Sequence, residues 1–123
     1  MARRAIVAGH GAFADGLISA VQQIAGLGDL FVPVSNTGLT ADVIEDALHT
    51  ALTASGARVI FTDLPAGSCT LAARRVARTI PGLVIVTGVA LPTLLSWACG
   101  SDVATASARG RDAITLVEGT GGA

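Results

Sequence analysis

The sequence predicts an α/β fold: a single doubly wound parallel sheet with helices on both faces. Three observations predict it. Short apolar runs rich in β-branched residues alternate with longer stretches in which apolar residues recur every three or four positions. No linker or internal repeat interrupts that alternation, and strands alternating with helices are satisfied by parallel strands joined through crossover helices. The chain of 123 residues, 51% hydrophobic, is long enough for one ordinary core and one domain.

The first strand is expected over residues 5–8. Phe13, Leu17, Ile18, Val21 and Ile24 then share one helical face, and that helix stops near Gly26 or Gly28. Residues 30–34 form the second strand. After Ser35-Asn36-Thr37-Gly38, Thr40 caps a helix with Asp42 in its first turn and a stripe of Val43, Ile44, Ala47, Leu48 and Leu52. The third strand, 58–62, ends at Asp63. Ser68 is placed to cap the next helix, along which Leu71, Ala72, Val76 and Ile80 are periodic. Residues 83–87 form the fourth strand, and Pro92 suits the first turn of the helix after it. A last helix is expected from about Asp102 to Val117, so that residues 1–118 make the domain and 119–123 a flexible tail.

Composition excludes several function classes. A formal net charge of −1 offers no electrostatic footing for nucleic acid or an anionic membrane. The uncharged stretch 79–101 is long enough to cross a bilayer. However, Pro81, Gly82, Gly88 and Pro92 divide it, and the run 84–87 reads as a buried strand. The apolar run after Arg3 and Arg4 is too short for a signal peptide, so a cytoplasmic location is expected. Cys69 and Cys99 lack metal-ligand spacing and read as two buried, reduced thiols; no metal and no cofactor is expected.

The chemistry concentrates at Gly9-His10-Gly11-Ala12-Phe13-Ala14, which fits G-x-G-x-x-G/A after a strand. A dinucleotide site also needs an acidic residue at the end of the second strand and a further domain for substrate. Ser35 and Asn36 stand at that strand end, Asp29 lies before the strand, and no second domain is expected. His10 itself is the better candidate. In open α/β sheets ligands sit at the carboxyl ends of strands where the winding reverses. If the first and third strands are neighbours, His10 and Asp63 face each other across that crevice. Gly11 keeps the ring approachable, and the helix opening near Ala12 directs unpaired N–H groups and a positive dipole end to the same space, which suits phosphate. Asp63 accepts a hydrogen bond from one imidazole nitrogen, fixing the tautomer and leaving the other nitrogen as nucleophile. These parts describe a histidine that accepts a phosphoryl group.

Other residues are weaker candidates. His49 falls beside the apolar stripe of its helix and faces solvent. Ser68 lacks the following glycine of a nucleophile elbow, and is read as a cap or phosphate contact. Cys69, near a helix N-terminus, is in a position that lowers a thiol pKa. A receiver domain shares the fold class, but its acidic cluster and lysine are missing.

The stretches IVAGHGAFADGLISAVQQIAG, VIFTDLPAGSCTLAAR and TGVALPTLL resemble the IIA component of the mannose-type phosphoenolpyruvate-dependent sugar phosphotransferase system. Its members carry G-[TH]-H-G or G-H-G before an amphipathic helix, D-x-x-G-G-[ST]-P after a later strand, and G-V-N-[LI]-P-M-L further on. The resemblance covers roughly residues 4–117. It implies the strand order 2-1-3-4, with His10 as the phosphoryl acceptor, loaded by the phosphocarrier HPr and unloaded onto a IIB component. Asp63 is then the aspartate that hydrogen-bonds the histidine, while Gly67 and Ser68, with Gly11, border the phosphate oxygens. A homodimer is also implied, with the 79–101 segment supplying part of its interface. So is indirect membrane association through a IIC/IID transporter. With the chain ending at Ala123, IIB is expected on a separate protein. The alternative within the same resemblance is a diverged regulator whose phosphorylation is read by a protein partner without sugar transport. Ala66, Cys69, Leu71 and Ala90 depart from the family's glycine, proline and two asparagines.

Overall fold

The structure is a computed structural model that describes residues 3–122; Met1, Ala2 and Ala123, at the outer ends of the expected domain and tail, lie outside the described residues. Four strands form one parallel sheet: β1 (Ala5–Gly9), β2 (Phe31–Ser35), β3 (Val59–Thr62) and β4 (Val84–Val86). Their order is β2-β1-β3-β4. Strand β1 is flanked on both sides and covered on both faces, and all five of its residues are buried. That is why its sequence, AIVAG, carries no polar side chain.

The helices are α1 (Phe13–Ala25), α2 (Ala41–Ser55), α3 (Ser68–Ala77), α4 (Leu91–Ala98) and α5 (Val103–Asp112). Strand alternation sorts the core between two faces. Ile6, Ala8 and Ile60 pack with Ile44, Leu48 and Leu52 of α2 and Ala72, Ala73 and Val76 of α3. Ala5, Val7 and Phe61 pack on the other face with Val21 of α1, Leu94 and Trp97 of α4, and Ala106 of α5. Phe31, Phe61 and Trp97 meet there with ring centroids 5.5–6.3 Å apart in tilted and edge-on arrangements. Each such pair adds roughly 0.5–1.5 kcal/mol beyond area burial. Arg3 lies over the Trp97 ring and donates to the carbonyls of Trp97 and Ser101, closing the end of α4.

Local chemistry explains most element ends. Thr40 caps α2 by accepting from the Val43 N–H, and Asp102 caps α5 by accepting from the Thr105 N–H at 2.7 Å. Helix α1 stops where Gly26 turns left-handed.

Several expectations are corrected. Leu30 belongs to a 3₁₀ turn, Gly28–Leu30, ahead of β2, and Arg58 precedes β3. Strand β4 spans three residues rather than five. Helix α5 ends at Asp112 and not near Val117: Ile114, Leu116 and Val117 find no surface to cover them and are 81–89% exposed. Ser68 is the first residue of α3 rather than its cap, the N-cap being Gly67 at φ 117°. Ile24, Val43 and Leu71 are exposed despite their stripe positions. Ile80 lies beyond the end of α3, yet still packs on the core. Cys69 is buried but Cys99 is exposed. Among the described residues no helix is long and apolar enough to cross a membrane; the 79–101 stretch folds into turns, β4 and α4.

Candidate active site

Because β1 and β3 are neighbours, the residues that end them meet. Helix α1 leaves β1 toward one face of the sheet and α3 leaves β3 toward the other. His10 and Asp63 face each other in the crevice between. One carboxylate oxygen of Asp63, Oδ2, accepts two hydrogen bonds from His10: the backbone N–H at 2.9 Å and the ring Nδ1 at 2.7 Å. Main chain and ring are therefore held by the same atom. With the proton on Nδ1 engaged, the lone pair of the neutral ring resides on Nε2.

The two partners differ in exposure. The Asp63 side chain is 11% exposed and that of His10 49%. Burial works to raise the Asp63 pKa, but the His10 backbone N–H, the ring hydrogen bond and the histidine's charge outweigh it. The net direction is downward from 3.8. The carboxylate is thus ionised where the imidazole needs it.

The glycines around His10 act through packing and backbone conformation. A Cβ on Gly9 would lie 2.5 Å from the Phe13 ring and 3.1 Å from Asp63 Oδ2, so only glycine lets the three residues close together. Gly11 is left-handed at φ 53°, while a Cβ there would meet nothing within 4 Å. Its requirement is conformational rather than spatial. The G-x-G pattern needs no pyrophosphate to explain it.

Two helix N-termini without side-chain caps flank the ring. Helix α1 begins three residues after His10, and a Cβ on Gly67, the N-cap of α3, would sit 3.5 Å from His10 Cε1. Such termini favour anions. Around them runs a polar frame. The Asn36 backbone N–H donates to the Gly9 carbonyl at 3.2 Å, and the Asn36 side-chain Nδ2 donates to Ser68 Oγ at 2.9 Å. Ser35 Oγ donates to the Gly11 carbonyl at 3.0 Å. The buried Thr70 hydroxyl donates to the Leu64 carbonyl at 2.5 Å and lies 2.7 Å from Thr62 Oγ1, fixing the turn that follows Asp63.

The structure therefore brings together His10, Asp63, Gly11, Gly67 and Ser68, and leaves His49 exposed on α2, apart from them. Cys69 does not behave as its place near a helix N-terminus suggests: burial, with the Asp63 charge, pushes its thiol up. Asn36 and Thr70 were not marked as site residues by the sequence. The signal for both is position, one at a strand's carboxyl end and the other in a helix's first turn. Among the described residues no group of three His, Cys, Asp or Glu side chains could hold a metal. A surface depression of about 600 Å³ runs along α1 past Asp15, Ile18 and Gln22 to Phe31; neither His10 nor Asp63 borders it. The imidazole stands at an open surface, where a group carried by another macromolecule has access.

Comparison with known proteins identifies a family and a shared fold. A family model described as PTS system fructose IIA component matches residues 4–114. Three solved structures share the fold. The mannose/sorbose-specific IIA subunit of the phosphotransferase system from Enterococcus faecalis is 22% identical, with 96% of each chain covered and a TM-score of 0.83. The phosphotransferase system component EIIA from Streptococcus agalactiae is 19% identical, covering 92% of this chain and 95% of that one, with a TM-score of 0.81. The PTS IIA protein associated with the fucose utilization operon of Streptococcus pneumoniae is 21% identical, covering 93% and 92%, with a TM-score of 0.80. No curated protein sequence matches this chain.

Proposed function

The chain belongs to the family of PTS fructose IIA components, phosphotransfer components of sugar phosphotransferase systems, and from that premise we propose that it is a cytoplasmic phosphoryl carrier. It takes a phosphoryl group from phospho-HPr on His10 and passes it to a IIB component. The observation that supports this most is the Asp63 Oδ2 to His10 Nδ1 hydrogen bond, which leaves Nε2 as the nucleophile.

In the transfer, the Nε2 lone pair attacks phosphorus and a new N–P bond forms. The donor's N–P bond breaks, and its electron pair returns to the donor imidazole. No proton has to leave His10, because Nδ1–H stays bonded to Asp63, whose negative charge steadies the ring as it gains positive charge. The transition state is loose, so the chain mainly positions groups and disperses charge. Gly67 and Gly11 leave room for the phosphoryl oxygens, and the Ser68 hydroxyl and uncapped N–H groups supply donors. Transfer onward to IIB is the same step reversed.

A homodimer is the assembly we favour, with the 79–101 segment, which contains β4, in its interface. Val84 on the sheet edge and Ile114, Leu116 and Val117 beyond α5 are the uncovered apolar residues that support it. Contact with the membrane is then indirect, through a IIC/IID transporter. A regulatory phospho-acceptor needs the same His10 and Asp63 and differs only in lacking onward transfer to IIB.

Incubation with phosphoenolpyruvate, enzyme I and HPr should add one phosphoryl group, acid-labile and base-stable as a phosphoramidate is. His10→Ala should abolish the label and His49→Ala should retain it. Equal labelling of His10→Ala would refute the assignment.

A further inference from the structure

We infer that Asn36 is a positioning residue for phosphoryl transfer: its side-chain amide orients the Ser68 hydroxyl as a donor toward the group carried by His10. The inference rests on the carrier function proposed above and adds a residue to it. A serine hydroxyl has one proton and two lone pairs, whereas an asparagine Nδ2 only donates. The 2.9 Å bond from Asn36 Nδ2 therefore occupies a lone pair of Ser68 Oγ and does not take its proton.

Asn36 is itself held on both sides. Its backbone N–H donates to the Gly9 carbonyl, next to His10, and its carbonyl accepts from the Leu39 N–H. Its side chain thus spans from the ends of β1 and β2 to the first residue of α3. It ties the hydroxyl to the strand that presents the imidazole. Without the amide, Ser68 samples its three staggered rotamers and points its proton at the phosphoryl oxygens only part of the time. Losing one preorganised donor in an enclosed site slows a reaction roughly 10²–10³-fold. Here the histidine is half-exposed and the donor is disordered rather than deleted, so a loss of about 10-fold is expected.

The test is rapid-quench measurement of His10 phosphorylation by phosphoramidate, a small donor that needs no protein docking, as a function of donor concentration. Asn36→Ala should lower the maximal rate about 10-fold and leave the half-saturating concentration unchanged. In a Ser68→Ala background it should cost nothing further, because its effect acts through that hydroxyl. Asn36→Asp has the same size but the opposite polarity: its carboxylate accepts the Ser68 O–H as a hydrogen bond, turning it away from His10, and repels phosphoryl oxygens, so it should be slower than Asn36→Ala. This nearly isosteric variant also serves if Asn36→Ala does not fold. Additive losses in the double variant, or wild-type maximal rates in Asn36→Ala or Asn36→Asp, would overturn the inference while leaving the carrier function intact. A wild-type protein labelled by neither phosphoramidate nor phospho-HPr would remove both.

Discussion

Asp63 carries three loads at once, since its Oδ2 atom receives the His10 backbone, receives the ring and supplies charge. Asp63→Asn keeps the shape and loses the charge. Removing an orienting carboxylate costs up to about 10⁴-fold where the wrong tautomer results, but a loose phosphoryl transition state demands less of its nucleophile. We expect a loss nearer 10²-fold in the rate of transfer from phospho-HPr by rapid quench; a wild-type rate would make Asp63 purely structural. The same residue gives the fold a pH dependence. Its folded pKa lies below the ordinary value, so its stabilisation is present above that value and is lost as pH falls through the folded one. Thermal melts taken from about pH 6 down to about pH 3 should therefore fall more steeply for wild type than for Asp63→Asn, which cannot titrate there. His10 and Asp63 were legible in the sequence because each is the polar residue that ends an apolar strand. Asn36 was not, since its meaning depends on Ser68, which only the folded sheet brings beside it.

At the scale of elements, the four strands were visible as apolar runs and α1, α2 and α3 as periodic stripes, and most of the errors lie at ends, where packing decides. Apolar residues continue past Asp112, so periodicity extends α5 over Ile114, Leu116 and Val117; the folded chain has no groove left for them. The site of closest approach was likewise invisible. Gly110 of α5 lies against Thr93 of α4 so tightly that a Cβ there would overlap the threonine Oγ1 and approach its Cβ to 3.1 Å. Gly110→Ala gains at most about 1 kcal/mol of helix propensity, against an overpacking cost of roughly 1–3 kcal/mol. The net is expected to be destabilising, with a thermal midpoint lower by a few degrees; a raised midpoint would show that α4 and α5 separate freely. Thr70→Val tests the other buried contact. It removes the hydroxyl that bonds both Thr62 and the Leu64 carbonyl and leaves only the long 3.4 Å bond from Thr62 Oγ1 to that carbonyl, at a cost of about 1 kcal/mol read from denaturant unfolding.

At the scale of the whole molecule, local periodicity could not say which strand lies beside which; the strand order came only with the family resemblance, and the sheet adopts it. The two edges of that sheet are unequal. Strand β2 carries exposed Pro33, which offers no N–H and blunts its edge against pairing. Strand β4, Val84-Ile85-Val86, has no such guard, and its first residue, Val84, is exposed. The apolar residues left bare after α5 include Ile114, which borders the same groove as Val84, Ile85 and Val86. A second copy of the chain that covered this edge would bury them together, so the proposed homodimer should depend on them. Wild type should sediment as a dimer at micromolar concentration, and Leu116→Asp combined with Val117→Asp should sediment as a monomer. His10, Asp63, Asn36 and Ser68 all come from one chain and lie at the carboxyl ends of the strands. The monomeric variant should therefore still accept a phosphoryl group from phosphoramidate at nearly the wild-type rate. A wild type that sediments as a monomer would refute the dimer, and a monomeric variant that loses labelling would show that the second copy completes the site.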